Sequence, residues 1–237
     1  MSNQVLVTGG AGFIGSHLVE KLAAKGYKVF VVDNFSSGSL KNLSTIKKNI
    51  FIKKVDISNY KSLKKVFLNN KIECIFHLAG KADIVPSIRN PKVYFDTNVK
   101  GTFNLLELAR IHGVKKIIYT ASSTCYGIPK KYPTSEKEII SPMYPYALTK
   151  KLGEDLILHY GKVYKLSAIS LRLFNVYGPR SRTAGTYGAV LGVFLSQRIN
   201  KYPLTIVGNG KQTRDFTYVS DIVDAIYCVY KKKKKNC

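Results

Sequence analysis

Thr8-Gly9-Gly10-Ala11-Gly12-Phe13-Ile14-Gly15 is the stretch that decides the fold. It follows a short apolar run, Gln4–Thr8, and opens residues 13–25, where Ile14, Leu18 and Leu22 fall on one face at helical period. Gly9, Gly12 and Gly15 stand three apart at the strand-to-helix turn. Glycine serves such a turn in three ways: it turns tightly, it lets the backbone approach a pyrophosphate, and it lets helix and strand pack closely. The helix N-terminus then offers free N–H groups and the positive end of its dipole to phosphate. The placement between strand and helix, more than the glycines themselves, makes this a dinucleotide-binding signal.

Outward from that turn, strand-like and helix-like segments alternate. Residues 28–32, 51–55, 74–77, 116–120 and 167–171 are rich in apolar and β-branched residues. Helical patterns lie at 61–68, 93–111 and 146–160. Apolar strands each followed by a helix predict an α/β fold, with a doubly wound parallel sheet of Rossmann type covered on both faces. After Arg172 the rhythm breaks: Gly178-Pro179-Arg180 opens a loop and a Gly-rich polar stretch runs to Gly188. A helix at Val190–Ile199 and a short strand at 204–207 are expected next. This divides the chain into a nucleotide-binding domain over 1–172, a small, incomplete second lobe over 173–230 interleaved with it, and a Lys-rich tail over 231–237.

Composition narrows the classes. The formal net charge is +24, from 38 Lys and Arg against 14 Asp and Glu. Lysines are spread along the whole chain, and Ile, Asn and Tyr are abundant too, as an AT-rich coding sequence produces. No element clusters Lys with aromatics as a nucleic-acid platform does, so no nucleic-acid partner is expected. No run of about 18 apolar residues appears, so no membrane partner is expected. The start carries no basic segment or cleavage signal, and Cys74, Cys125, Cys228 and Cys237 form no ligand-spaced pair. A reducing cytoplasm and no metal site follow. The five lysines at 231–235 repel one another and predict disorder.

Acidic residues at strand ends extend the dinucleotide site. Asp33 closes the second strand about 20 residues after the glycine turn, where an acid hydrogen-bonds a ribose and repels a 2′-phosphate. That favours NAD over NADP, and Lys41 and Lys47 are less well placed to reverse it. Asp56, after the third strand, can accept from an adenine amino group or cap the next helix. Tyr146 and Lys150 share a helix face, where an ammonium favours the phenolate and makes tyrosine a usable base. Ser122 and Ser123 lie past a strand at its carboxyl end, where ligands bind.

These pieces resemble one family. Thr8-Gly9-Gly10-Ala11-Gly12-Phe13-Ile14-Gly15-Ser16, Asp33-Asn34, His77-Leu78-Ala79-Gly80, Asn98, Ser122-Ser123-Thr124-Cys125-Tyr126-Gly127 and Tyr146-x-x-x-Lys150 look like the extended short-chain dehydrogenase/reductases. So do the nine residues from Arg172 to Arg180 and the eight from Arg214 to Asp221. Within that family the similarity is to NAD-dependent sugar-nucleotide epimerases.

The resemblance implies Ser122, Tyr146 and Lys150 as catalytic residues. It implies NAD held by Gly9, Gly12, Phe13, Ile14, Gly15, Asp33, Asn34, Asp56, Ile57, Leu78, Ala79, Gly80, Asn98, Tyr146, Lys150 and Tyr177. It implies a nucleotide-sugar substrate met by Ser87, Ser122, Ser123, Thr124, Asn175 and Arg214, with Arg89 a further loop candidate.

The 4,6-dehydratases of this family are similar to one another in an Asp-Glu pair after the catalytic hydroxyl, and the decarboxylases in Ser-Glu. Here Ser123 and Thr124 stand there, as in the 4-epimerases. The implied reaction is 4-epimerisation of a UDP-sugar through a 4-keto intermediate. The alternatives are another sugar-nucleotide oxidoreductase or dehydratase, or an impaired NAD-binding truncate. Relatives also imply a homodimer through the helices at 93–111 and 146–160. Lys81 departs from their usual uncharged residue near the pyrophosphate path. The lysine run at the end reads as the scar of a truncated reading frame.

Overall fold

The structure is a computed structural model that describes residues 3–46, 48–182, 190–206 and 208–232. Lys47, the stretch 183–188, Val207 and the tail from 233 onward, on which the sequence reading touched, lie outside the described residues.

Six parallel strands form the main sheet in the order β3-β2-β1-β4-β5-β6. They are β1 (Gln4–Thr8), β2 (Lys28–Asp33), β3 (Ile50–Lys54), β4 (Cys74–His77), β5 (Lys116–Ser122) and β6 (Ser167–Leu173). The order reverses between β1 and β4, so the crevice for a ligand opens at the carboxyl ends of those two strands. This is the expected α/β doubly wound sheet. β5 and β6 run two residues further than expected, which places Ser122 at the last position of β5 rather than beyond it.

Each face of the sheet has its own core. Leu6, Ile75, Ile117 and Ala168 face α2 (Tyr60–Phe67), α5 (Gly101–Ile111) and α6 (Pro145–Val163). Val5, Val7, Val29 and Ile118 face α1 (Phe13–Ala24) and α8 (Val219–Lys231). Val219, Val223 and Ile226 of α8 recur at helical spacing and are buried in that second core. The Lys116 ammonium reaches from β5 to the carbonyls of Tyr230 and Lys232, each at 2.8 Å. A cation there complements the helix dipole. The stretch 219–231 therefore packs as part of the main core, inside the span the sequence reading gave to the second lobe.

The helix expected over 93–111 is interrupted. α4 (Pro91–Phe95) passes into one π turn, Asp96–Lys100, before α5 resumes. A π turn inserts one residue and re-aims a side chain. The side chain re-aimed here is that of Asn98, which is buried. A short helix, α3 (Ile84–Arg89), precedes it.

The strand expected at 204–207 is not there among the described residues. The second, two-stranded sheet instead pairs β7 (Asn175–Tyr177) with β8 (Phe216–Tyr218), parallel, with Asn175 opposite Phe216. The partners are distant in sequence, so local patterning does not mark them. α7 (Val190–Ile199) lies between them in the chain, as expected.

Candidate active site

The glycine turn after β1 is as tight as its sequence implies. Gly9 takes a positive φ of 70° and donates from its backbone N–H to Val32 O at 2.8 Å. A Cβ on Gly15 would stand 2.1 Å from Gly9 O, a collision with backbone that no rotamer relieves. α1 then begins at Gly12 with no side-chain cap. The uncapped N-terminus, with Phe13, Ile14 and Gly15 in its first turn, is the phosphate cradle that a dinucleotide needs.

Asp33 ends β2 beside this turn and is buried. Its carboxylate accepts from Ala11 N at 2.9 Å and from Phe35 N at 2.8 Å, tying the glycine turn to the loop after β2. Asn34 donates to Asp56 at 2.7 Å, and Asp56 also accepts from the Ser58 backbone and hydroxyl. Burial pushes the Asp56 carboxyl up, but the bonds from Ser58 and Asn34 outweigh it and hold it below the usual range. Asn59, not Asp56, caps α2. The Ile57 side chain is buried in the core against Gly101.

The loop after β4 closes the other side of the crevice. Leu78 N donates to Thr8 O, and Ala79 N approaches the Thr8 hydroxyl. His77 bridges β1 and α5, with its ring nitrogens 2.7 Å from the Thr8 hydroxyl and 2.9 Å from that of Thr102. Complete burial, aided by the Lys150 charge, lowers its pKa from 6.5 to about 3, so the ring stays neutral. Asn98 Oδ1 accepts from Lys81 N at 2.8 Å, while its Nδ2 donates to Lys81 O and to the Thr149 hydroxyl, each at 3.1 Å. A Cβ on Gly80 would lie 3.1 Å from Asn98 Oδ1 and 3.7 Å from Lys150 Nζ. Gly80, Asn98 and Lys150 thus meet at one point. The Lys81 side chain reaches toward the loop after β2, with its ammonium 3.4 Å from the Ser36 hydroxyl.

Tyr146 sits in the first turn of α6, behind Pro145, a residue suited to that position. Its hydroxyl faces the side chains of Ser122 and Thr124. Those two hydroxyls lie 2.9 Å apart. Burial pushes Tyr146 above its ordinary pKa, against the pull of the Ser122 hydroxyl; the Asp83 charge pushes it further up.

The Lys150 ammonium, one turn further along α6, is anchored to β5. Lys150 donates to Thr120 O at 2.5 Å and lies 4.2 Å from the Tyr119 ring centroid. Burial lowers the Lys150 pKa to about 7.

Ser87, expected to reach a sugar, is fully buried. Its hydroxyl donates to Ile84 O and accepts from Tyr146 N at 3.1 Å. Both capacities serve the backbone of α3 and α6, so Ser87 positions Tyr146. Arg89 is exposed on α3. Ser123 opens the turn after β5 and is partly exposed.

Asn175 and Arg214 gather at one end of the small sheet, where Asn175 donates to Asp215 O at 2.9 Å. Arg214 is exposed. Tyr177 packs edge-on against Tyr218, with ring centroids 5.2 Å apart.

Two arrangements were not legible in the sequence. Glu154 is buried on α6 and accepts from Arg172 Nη2 at 2.7 Å and Nε at 3.0 Å. Arg172 also donates to the Tyr126 hydroxyl. Asp83 and Arg182 are paired across the mouth of the site. Among the described residues no cluster of metal-ligating side chains occurs, and no helix is long and apolar enough to cross a membrane.

The sheet order, the uncapped glycine turn and the Ser–Tyr–Lys centre define a dinucleotide-binding α/β protein with a hydroxyl-handling site. Residues 5–236 match the model of the NAD dependent epimerase/dehydratase family. A putative UDP-glucose 4-epimerase of Methanocaldococcus jannaschii is 38% identical, over 93% of this chain and 71% of that one. A UDP-glucuronate 4-epimerase of Thermodesulfobacterium geofontis is 38% identical, over 92% and 68%. The crystal structure of the UDP-glucose 4-epimerase of Thermotoga maritima, holding UDP-glucose, superposes with a TM-score of 0.92 at 38% identity, over 97% of this chain and 74% of that one. The chain belongs to the NAD-dependent epimerase/dehydratase family, and NAD is its cofactor.

Proposed function

We propose that the protein interconverts UDP-sugars epimeric at C4. The observation that carries this reading is the hydroxyl set around Tyr146. The Ser122 and Thr124 hydroxyls, 2.9 Å apart, face its phenol, and no carboxylate stands at 123 or 124 to take part in an elimination. NAD, when bound, supplies the acceptor and then the donor of hydride. In this reading it is held by the glycine turn, Asp33, Asn34, Asp56, the 78–80 loop, Tyr177 and the Asn98–Lys150 corner.

Tyr146 takes the proton from the sugar 4-hydroxyl as the C4–H bond breaks and returns it after the 4-keto sugar has turned over. Ser122 and Thr124 hold the reacting oxygen in line with that phenol, which limits loss of the keto intermediate. Lys150, with a pKa near neutrality, can exchange a proton through the same corner at little cost. Bound NAD would supply positive charge that favours the Tyr146 phenolate, which burial disfavours. Asn175 and Arg214 would meet the diphosphate, and an Arg fork suits its oxygens.

The lobe formed by β7, α7 and β8 would carry the substrate, and the core built on β1–β6 the cofactor. Phe95, Phe103, Leu148 and Val163 are exposed on α4, α5 and α6. They suit an apolar homodimer interface.

The test is incubation of the NAD-loaded protein with UDP-galactose, UDP-N-acetylgalactosamine and UDP-galacturonate, read by NMR. Appearance of a C4 epimer supports the reading. A 4-keto-6-deoxy or decarboxylated product, or no conversion of any of the three, refutes it.

A further inference from the structure

Two loops flank the glycine turn, and one lysine crosses between them. A Cβ on Gly9 would stand 2.7 Å from Ala79 N, so the loop after β4 lies against the turn on one side. A Cβ on Gly38 would stand 2.8 Å from the carbonyl carbon of Ala11. Ser39 N and the Asn42 amide both donate to Ala11 O, at 3.0 Å and 2.9 Å. The loop after β2 therefore lies against the same turn on its other side. Between these flanks stands the uncapped first turn of α1.

Lys81 spans the gap. Asn98 holds both its N–H and its carbonyl, so the base of the side chain is fixed. The stem then crosses to Ser36 in the loop after β2, where the ammonium lies 3.4 Å from the hydroxyl. A hydroxyl at that distance is a weak partner, and an ammonium carries three donors. None of the ion pairs among the described residues takes this ammonium.

The other charges near the turn are engaged. Asp33 accepts from Ala11 N and Phe35 N. Asp56, whose carboxyl feels the Lys81 charge, accepts from Asn34 and Ser58. Arg180 is paired with Glu20 of α1 and also meets the Ser16 hydroxyl. Lys81 therefore brings a positive charge with spare donors across the phosphate cradle. A charged phosphate oxygen is a stronger acceptor than a distant hydroxyl and displaces it.

We propose that Lys81 is a cofactor-binding residue, closing across the glycine turn to donate to the diphosphate of NAD in place of the Ser36 hydroxyl. The inference rests on NAD as the cofactor and is independent of the sugar on which the protein acts.

The experiment measures the affinity of the full chain for NAD and for adenosine by ligand NMR titration, in the parent, Lys81→Gln and Lys81→Met. Adenosine shares the nucleoside end of NAD and lacks the phosphates. Each variant should bind NAD about tenfold more weakly and adenosine as the parent does. Retained adenosine binding shows that the crevice is still folded, and the second variant repeats the test with an apolar stem. Unchanged NAD affinity in the variants overturns the proposal. Equal losses for NAD and adenosine in both variants also overturn it, because they place the effect in the loop or at the nucleoside. A failure to convert any UDP-sugar refutes the epimerase reading and leaves these titrations as they stand.

Discussion

Asn98 holds the backbone of Lys81 on both sides, accepting from its N–H at 2.8 Å and donating to its carbonyl at 3.1 Å. The side chain of one π turn thereby fixes the loop after β4 against α6, through a further bond to Thr149. Replacing it with alanine leaves buried backbone and hydroxyl groups without partners. Asn98→Ala should lose about 1–3 kcal/mol of stability in urea titration. Affinity for NAD should fall in parallel, because Gly80 and Lys150 meet at that corner.

His77 makes a prediction about pH. Its pKa is near 3 in the fold and 6.5 when free. Between those values the unfolded chain binds a proton that the folded chain refuses, so stability falls as pH drops from about 6.5. The loss is about 2 kcal/mol by pH 5. Urea midpoints at pH 7 and pH 5 measure it, with His77→Gln as the reference. If the variant shows the same drop as the parent, the ring is not the group responsible.

The half-buried Arg172 and the buried Glu154 form a fork between β6 and α6. Arg172→Met leaves the Glu154 carboxylate with only the Ser170 hydroxyl and the more distant Lys151, and should cost about 1–3 kcal/mol. Adding Glu154→Leu should recover most of that, since an apolar pair replaces the ions without a stranded charge. A thermal melt of the single and double variants gives the comparison. A double variant no more stable than Arg172→Met alone contradicts the argument.

The parallel sheet was legible because β1, β2 and β4 are buried runs such as Val5-Leu6-Val7, with the glycine turn fixing their order of use. The glycine cradle, Asp33, and the meeting of Ser122 with Tyr146 were legible for the same reason: each sits at a strand or helix end that periodicity marks. What escaped depends on distant partners. β7 and β8 pair residues about forty positions apart in the chain, as Asn175 with Phe216, and neither run is apolar enough to announce itself. The apolar stretch near 204 looked more strand-like, but among the described residues it pairs with no strand, and Thr205 bonds Gln197 of α7 instead. The π turn is one extra residue in an otherwise helical pattern. Ser87 looked like a loop hydroxyl until α6 was seen to start on it. The bond from the Lys150 ammonium to the Thr120 carbonyl joins α6 to β5, a pairing that spacing along the helix does not mark.

The most direct test of the account is the rate of UDP-galactose epimerisation by Tyr146→Phe against the unmodified protein, with NAD binding measured on both. Loss of a positioned acid–base group should cut the rate about a hundred- to ten-thousandfold, while NAD stays bound. A Tyr146→Phe protein that turns over at the parent's rate contradicts the account.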